Sequence, residues 1–255
     1  MGKLSAFLYG IISYGIFFFA IIYAVGFLGN ILVPKSIDSI PVSEFFQAII
    51  MNTLLLGLFA VQHSVMARPA FKLWWTKIIP KEIERSTFVL ASSLLLILLF
   101  WKWQPMTAVI WHIDNPMLKG LIQTGFWIGW GIVLASTFMI NHFDLFGLRQ
   151  VYLHFKGREY NNVGFVSAYL YKFVRHPIML GFMIAFWATP RMTAGHLLFA
   201  LATTAYIIIG IQFEERDLKR FLGGQYQEYQ QCVPMLVPFG KSRTDTPDSV
   251  CSTYH

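Results

Sequence analysis

The chain has 255 residues, of which 56% are hydrophobic and only 13% charged, with a formal charge of +7. A soluble domain of this composition lacks the polar residues to cover its own surface, so the sequence reads as an all-α, polytopic transmembrane helical bundle. The Lys and Arg residues gather in connections between apolar runs, the pattern that sets membrane topology, and the charge predicts membrane lipids and no nucleic acid as partners.

A hydrocarbon core of about 30 Å needs roughly 20 apolar residues per helix. In chain order, residues 4–32, 44–66, 87–103 and 119–140 meet this requirement. The first run is about twice the length of a signal-peptide apolar core and lacks a small-residue cleavage site, so it is expected to remain as a span. Trp74, Trp75, Trp101, Trp103 and Trp111 fall at span ends, where an indole buries its ring and keeps its N–H in water. Gly125, Gly129 and Gly131 give the fourth span a small face for close helix contact.

Two further apolar pieces form a hairpin. Its first arm, 177–188, is shorter than a full span, and its second, 193–213, is long enough to cross. Short arms of this kind are often tied to binding sites. Past Glu215, the spacing of Leu218, Phe221, Leu222, Tyr226 and Tyr229 predicts an amphipathic interfacial helix broken at Gly223 and Gly224. Residues 241–255 have no apolar periodicity and are expected to be disordered. The expected organisation is a four-helix region over 1–143, a loop, hairpin and amphipathic helix over 144–240, and the tail. Cys232 and Cys251 are the only cysteines, which predicts no disulfide framework and a reducing compartment for that end.

Arg68, Lys72, Lys77, Lys81 and Arg85 lie between spans two and three, and Arg149, Lys156, Arg158, Lys172 and Arg175 precede the hairpin. The alternate connections hold mainly Lys35 and Lys102, so six crossings with both termini cytoplasmic are expected. Arg191, at the hairpin tip, breaks the pattern.

Nucleotide-binding, P-loop, nucleophile-elbow and H-E-x-x-H motifs are absent, and the seven His residues lack zinc-ligand spacing, so no metal is expected. What remains is a ring of polar residues at the cytoplasmic span ends. It comprises Gln62, His63 and Arg68, then Glu84 and Arg85, then Asn141, His142, Asp144 and Arg149, then Arg175 and His176, and finally Glu214, Glu215 and Arg216. Ionisable groups at a bilayer are costly unless they bind something, and mixed charges at one depth suit a zwitterionic ligand. Arg175-His176 and Glu214-Glu215 carry most weight, because they flank one hairpin.

RHPIMLG at Arg175 to Gly181, EERDL at Glu214 to Leu218 and the Y-x-x-Y and VPMLVP ending resemble the C-terminal signature of isoprenylcysteine carboxyl methyltransferase-like membrane enzymes. The upstream QHSVMARP, ERSTFVL and NHFDLFGLRQV segments are similar to the bacterial NnrU-related branch and its methanethiol S-methyltransferases. The resemblance implies an inner-membrane enzyme that uses S-adenosyl-L-methionine to methylate a small thiol, most specifically methanethiol. It also implies that Arg175, His176, Pro177 and Gly181 shape the cofactor pocket and that Glu214 and Glu215 contact the cofactor. Met179 stands where the related enzymes often carry Tyr, and Tyr226 and Tyr229 are the aromatic substitutes.

A small thiol is mostly protonated near neutrality, since even a Cys side chain has a pKa of about 8.5. A base is therefore wanted; His142 with Asp144 is the first candidate and His63 the second. Two alternatives stay open: a carboxylate acceptor such as a prenylated Cys terminus, and a non-enzymatic membrane subunit or transporter. Oligomeric state is not legible.

Overall fold

The computed structural model describes residues 2–41, 43–161, 164–165, 167–238 and 251. The expected disordered tail lies outside these residues, apart from Cys251. The helices are α1 (Lys3–Gly29), α2 (Phe45–Ala67), α3 (Pro69–Trp75), α4 (Lys81–Lys102), α5 (Pro116–Ile140), α6 (His142–Leu145), α7 (Leu148–Phe155), α8 (Pro177–Trp187), α9 (Ala194–Leu222) and α10 (Gly224–Cys232). Two short strands, β1 (Val109–His112) and β2 (Arg191–Thr193), pair antiparallel with Trp111 opposite Met192.

Five helices, α1, α2, α4, α5 and α9, are long and apolar enough to cross a bilayer, and α8 is a shorter apolar helix. Large apolar side chains such as Phe18, Phe46, Leu54 and Phe138 point outward from them. Such an outward apolar surface is tolerated in lipid and not in water. The chain is an integral membrane protein.

The connections sort cleanly onto two faces. On one, the β1–β2 pair joins the α4–α5 connection to the hairpin tip, and Thr193 Oγ1 donates to Asp38 in the α1–α2 connection. Asn52 Nδ2 donates to Gln104 O at 2.7 Å, and Gln104 N donates back to Asn52 Oδ1 at 2.8 Å. On the other face, Arg68 beside α3 pairs with Asp217 of α9 at 2.9 Å, and Ser86 Oγ at the start of α4 donates to Gly147 O. Alternation of faces makes α8 a crossing element, although its 11 residues span only about 16 Å. Extended chain at the tip supplies part of the missing length.

Several boundaries differ from the sequence reading for identifiable reasons. Helix α9 does not stop at Phe213: nothing in EERDLKRFL breaks a helix, and it ends only at Gly223, with φ +57. Its 29 residues are about 43 Å long, so the final charged turns emerge from the hydrocarbon. Helix α5 begins at Pro116 because Asn115 caps it, accepting from the Met117 and Leu118 amides. Trp103 is not an interface anchor: it is fully buried and donates Nε1–H to Ile37 O.

The cysteine expectation is overturned. Cys232 and Cys251 are disulfide-bonded, with Cys251 packed beside Tyr226, Tyr229 and Val233. A separation of 19 residues says nothing about proximity; the packing of Cys251 against α10 creates it. This removes the thiol argument for a reducing compartment.

One core cluster draws on both halves of the chain, with Phe27, Leu99, Phe126 and Trp130 packed together with Ala185 and Phe199. Helices α5 and α8 touch backbone to backbone. A Cβ on Gly129 would lie 2.6 Å from Ala185 N and 2.7 Å from Gly181 O, and one on Gly181 would lie 2.7 Å from Gly129 O. Gly125 continues this face toward Ala188, whereas Gly131 looks into open space. The obstacle at the crossing is main chain, which cannot swing aside. Gly181→Val is therefore expected to lower the melting temperature of detergent-solubilised protein by several degrees, in line with overpacking costs of about 1–3 kcal/mol. Gly131→Ala should leave it unchanged or slightly raised.

Candidate active site

Pro177 opens α8 at its first position, where a missing N–H costs nothing, so Arg175 and His176 are held in the non-helical chain just before the helix. At the far end of the hairpin, Glu214 and Glu215 lie on the emerging turns of α9. Consecutive helical residues diverge by about 100°, and the two carboxylates part accordingly. Glu215 is buried, and the Glu214 side chain is 49% exposed.

The folded hairpin brings the two pairs together. Arg175 Nε donates to Glu215 Oε1 at 2.7 Å, and His176 Nε2 is 3.1 Å from the same oxygen. Gln230 Nε2 donates to Glu215 Oε2 at 2.6 Å. His176 Nδ1 stands 3.6 Å from Glu214 Oε2, so the imidazole sits between the two carboxylates. Arg175 Nη1 reaches Gln230 O and Val233 O at the end of α10, and Arg175 N and His176 N donate to Pro234 O and Met235 O. Arg175 thus joins three segments: the start of α8, the end of α9 and the chain leaving α10.

Tyr226 and Tyr229 of α10 lie beside this cluster, each packed with its ring plane nearly perpendicular to that of Phe165. Both are buried, and burial pushes their phenols well above the ordinary tyrosine range, so they stay protonated. Tyr229 Oη donates to Tyr171 O. Tyr226 Oη is buried with no hydrogen-bond partner among the described residues. A buried hydroxyl without a partner costs free energy, and a polar ligand would recover it. The donor and acceptor set also includes the half-exposed Glu214 and Arg175 Nη2, which makes no hydrogen bond among the described residues. It fits a ligand carrying an anionic group, an ammonium and hydroxyls.

Two expected roles change with the geometry. Arg175 spends most of its hydrogen-bonding capacity inside the protein, and Glu215 already accepts from three side chains, which leaves Glu214 as the exposed carboxylate of the pair. Gly181 lies a turn further along α8 and faces Gly129 rather than the polar cluster. Gln230 was missed from sequence, where nothing but its position one turn after Tyr226 set it apart.

The His142–Asp144 dyad does not form. His142 Nε2 is 2.7 Å from Tyr14 Oη and Nδ1 is 2.9 Å from Thr137 Oγ1, with Phe138 stacked on the ring. Thr137 donates its own proton to Leu134 O, so it accepts from Nδ1–H and leaves Nε2 to accept from Tyr14. Burial lowers the His142 pKa, which keeps the ring neutral in this arrangement. Asp144 instead pairs with Arg149 at 2.9 Å and accepts from Tyr160. The short turn of α6 points the two side chains apart, which residue spacing alone did not reveal.

His63 is differently placed. Its Nδ1 is 3.1 Å from Ser92 Oγ, and Ser92 donates to Gln62 Oε1, so Ser92 accepts from Nδ1–H. Nε2 then carries the lone pair and has no hydrogen-bond partner among the described residues. The ring packs among Phe59, Phe88 and Tyr206. Beside it, between α2 and α9, lies a cavity of ≈ 210 Å³ lined by Thr53, Leu56, Phe59, Ala202, Thr203 and Tyr206 among others.

Methanethiol S-methyltransferase of Mycobacterium tuberculosis is 53% identical to this chain over 96% of its length and 100% of the relative's. Methanethiol S-methyltransferase 2 of Bradyrhizobium diazoefficiens is 55% identical over 95% of this chain and 94% of its own. The chain belongs to the methanethiol S-methyltransferase family. A more distant likeness links it to nurim of Rattus norvegicus, 28% identical over 70% of the chain and 71% of the relative. No family model matches the chain, and no solved structure matches it.

Removing one partner of a buried ion pair leaves a stranded charge, at a cost of about 3–5 kcal/mol. Arg175→Met is therefore expected to destabilise the purified protein by that amount in a thermal or denaturant melt. The double variant Arg175→Met/Glu215→Met should recover much of the loss, because no charge is left unpaired.

Proposed function

We propose that the chain transfers the methyl group of S-adenosylmethionine to methanethiol, forming dimethyl sulfide, and that it does so in a bacterial inner membrane with both termini cytoplasmic. The observation that carries this reading is the identity of more than half of the residues, over nearly the full length of both chains, with proteins named methanethiol S-methyltransferase. The orientation follows from the basic connections, which share the face of the Arg175–Glu215 cluster.

When bound, S-adenosylmethionine supplies an activated methyl group on a positively charged sulfonium. Glu214 accepts from its ammonium or ribose hydroxyls, and Arg175 Nη2 offers a donor to its carboxylate. Tyr226 Oη gains the partner it lacks, and the Tyr226 and Tyr229 faces suit a cation. Arg175, His176, Glu215 and Gln230 hold these groups in place, and Pro177 sets the start of the arm.

On the acceptor side, the α2–α9 cavity is apolar and smaller than the roughly 300 Å³ at which drug-sized pockets begin, which favours a one-carbon thiol over a prenyl chain. We assign proton acceptance to His63 Nε2, because its lone pair is not engaged among the described residues and Ser92 holds the tautomer that exposes it. His142 and Asp144 act as positioning residues at the end of α5.

Full-length protein with methyl-labelled donor and methanethiol should release labelled dimethyl sulfide into the headspace. Failure to bind the donor would rule out the donor assignment. Donor binding with methylation of a prenylated Cys peptide and no dimethyl sulfide would rule out the acceptor assignment. His63→Gln should lower kcat by about a hundredfold or more near neutral pH while leaving the KM for the donor nearly unchanged. That deficit should narrow as pH rises through the thiol's own pKa, since thiolate then forms without a base. A deficit equal at every pH contradicts the role of His63.

A further inference from the structure

Away from the polar cluster, on the face that carries the hairpin tip, lies a second and larger cavity of ≈ 460 Å³. The end of α1 contributes Leu28 and Gly29, the α1–α2 connection Asn30, Ile31, Ser36 and Asp38, α5 Gln123, Phe126 and Trp127, and the tip Ala188 to Arg191. Nothing in methyl transfer at the Arg175–Glu215 cluster uses it, because the two lie at opposite ends of the hairpin.

The charges in this cavity are unusual for their surroundings. Arg191 is a basic residue on the face whose connections hold few of them, and it forms no ion pair among the described residues. Asp38 also forms no ion pair among them; it accepts one hydrogen bond from Asn30 Nδ2 at 3.0 Å and one from Thr193 Oγ1, one on each carboxylate oxygen. Each oxygen keeps a lone-pair direction for a further donor. Two opposite charges that line one cavity without an ion pair among the described residues suit a ligand that brings the complementary pair.

We propose that this cavity binds a phosphate–ammonium zwitterion of the phosphoethanolamine type. The Arg191 guanidinium presents a planar fork that matches phosphate oxygens. Asp38 is the partner for a primary ammonium, whose three N–H donors a quaternary trimethylammonium lacks. Ser36, Asn30, Gln123 and Thr189 supply the surrounding polar groups, and Phe126, Trp127 and Ile31 form the apolar wall. The volume lies within the range of small-ligand sites. Trp127 is 54% exposed and Ile31 37% exposed, so the apolar wall continues onto the lipid-facing surface. The same chemistry is offered by a phosphatidylethanolamine headgroup and by the free zwitterion.

Native mass spectrometry of the full-length protein, delipidated in detergent and titrated with defined lipids, tests this site. Phosphatidylethanolamine should be retained at least tenfold better than phosphatidylcholine of the same chains. Arg191→Gln, at an exposed position, should weaken retention of both lipids about equally, because both carry the phosphate. Asp38→Asn keeps an acceptor for Thr193 or Asn30 while removing the charge, and should abolish the preference for phosphatidylethanolamine. Free phosphoethanolamine that displaces the lipid identifies the headgroup alone as sufficient. Retention without such displacement identifies the intact lipid as the ligand. Equal retention of the two lipids together with no binding of free phosphoethanolamine, a preference untouched by Asp38→Asn, or retention untouched by Arg191→Gln overturns the proposal. Donor binding and methyl transfer are not read in this experiment, so its result is independent of the methyltransferase assignment.

Discussion

A carboxylate buried at the end of a membrane helix must be neutralised, and Glu215 meets that demand through Arg175, His176 and Gln230. This requirement pins the start of α8 against the end of α9. Because Arg175 also holds the Gln230 and Val233 carbonyls, the same guanidinium docks α10 and brings Tyr226 and Tyr229 beside the cluster. Without the ion pair, the short α8 would have little to hold its polar end. Its opposite side is secured differently, by main-chain contact at Gly129 and Gly181.

Around this pin the protein separates two chemistries. The polar cluster lies on the emerging turns of α9, where ions have access to water, and the apolar α2–α9 cavity lies further along the same helix toward the hairpin tip. His63 stands beside that cavity, held by Ser92 and Gln62. Such a division suits a reaction between a charged, water-borne methyl donor and a small acceptor that partitions into lipid.

The opposite face is organised by connections rather than by helices. The β1–β2 pair, the Asn52–Gln104 exchange and the Thr193–Asp38 hydrogen bond tie three loops into one cap. That cap explains how a helix as short as α8 spans between faces, and it encloses the second cavity. Arg191, the basic residue at the hairpin tip, lines that cavity.

The sequence by itself determined the membrane class, the spans, the hairpin and the pairing of Arg175-His176 with Glu214-Glu215. These follow from run length, charge placement and the cost of ions near lipid, all of which are local or one-dimensional. It also marked Gly129 as a packing residue, though not that Gly181 would be its partner. Only the tertiary structure decided that His142 turns to Tyr14 and Thr137 while Asp144 turns to Arg149, and that His63 keeps an unshared lone pair. Only the fold joined Cys232 to Cys251 and buried Trp103. Such outcomes depend on which side chains meet across helices, and a hydrogen bond or disulfide is set by separations of a few ångströms that spacing along a chain does not encode.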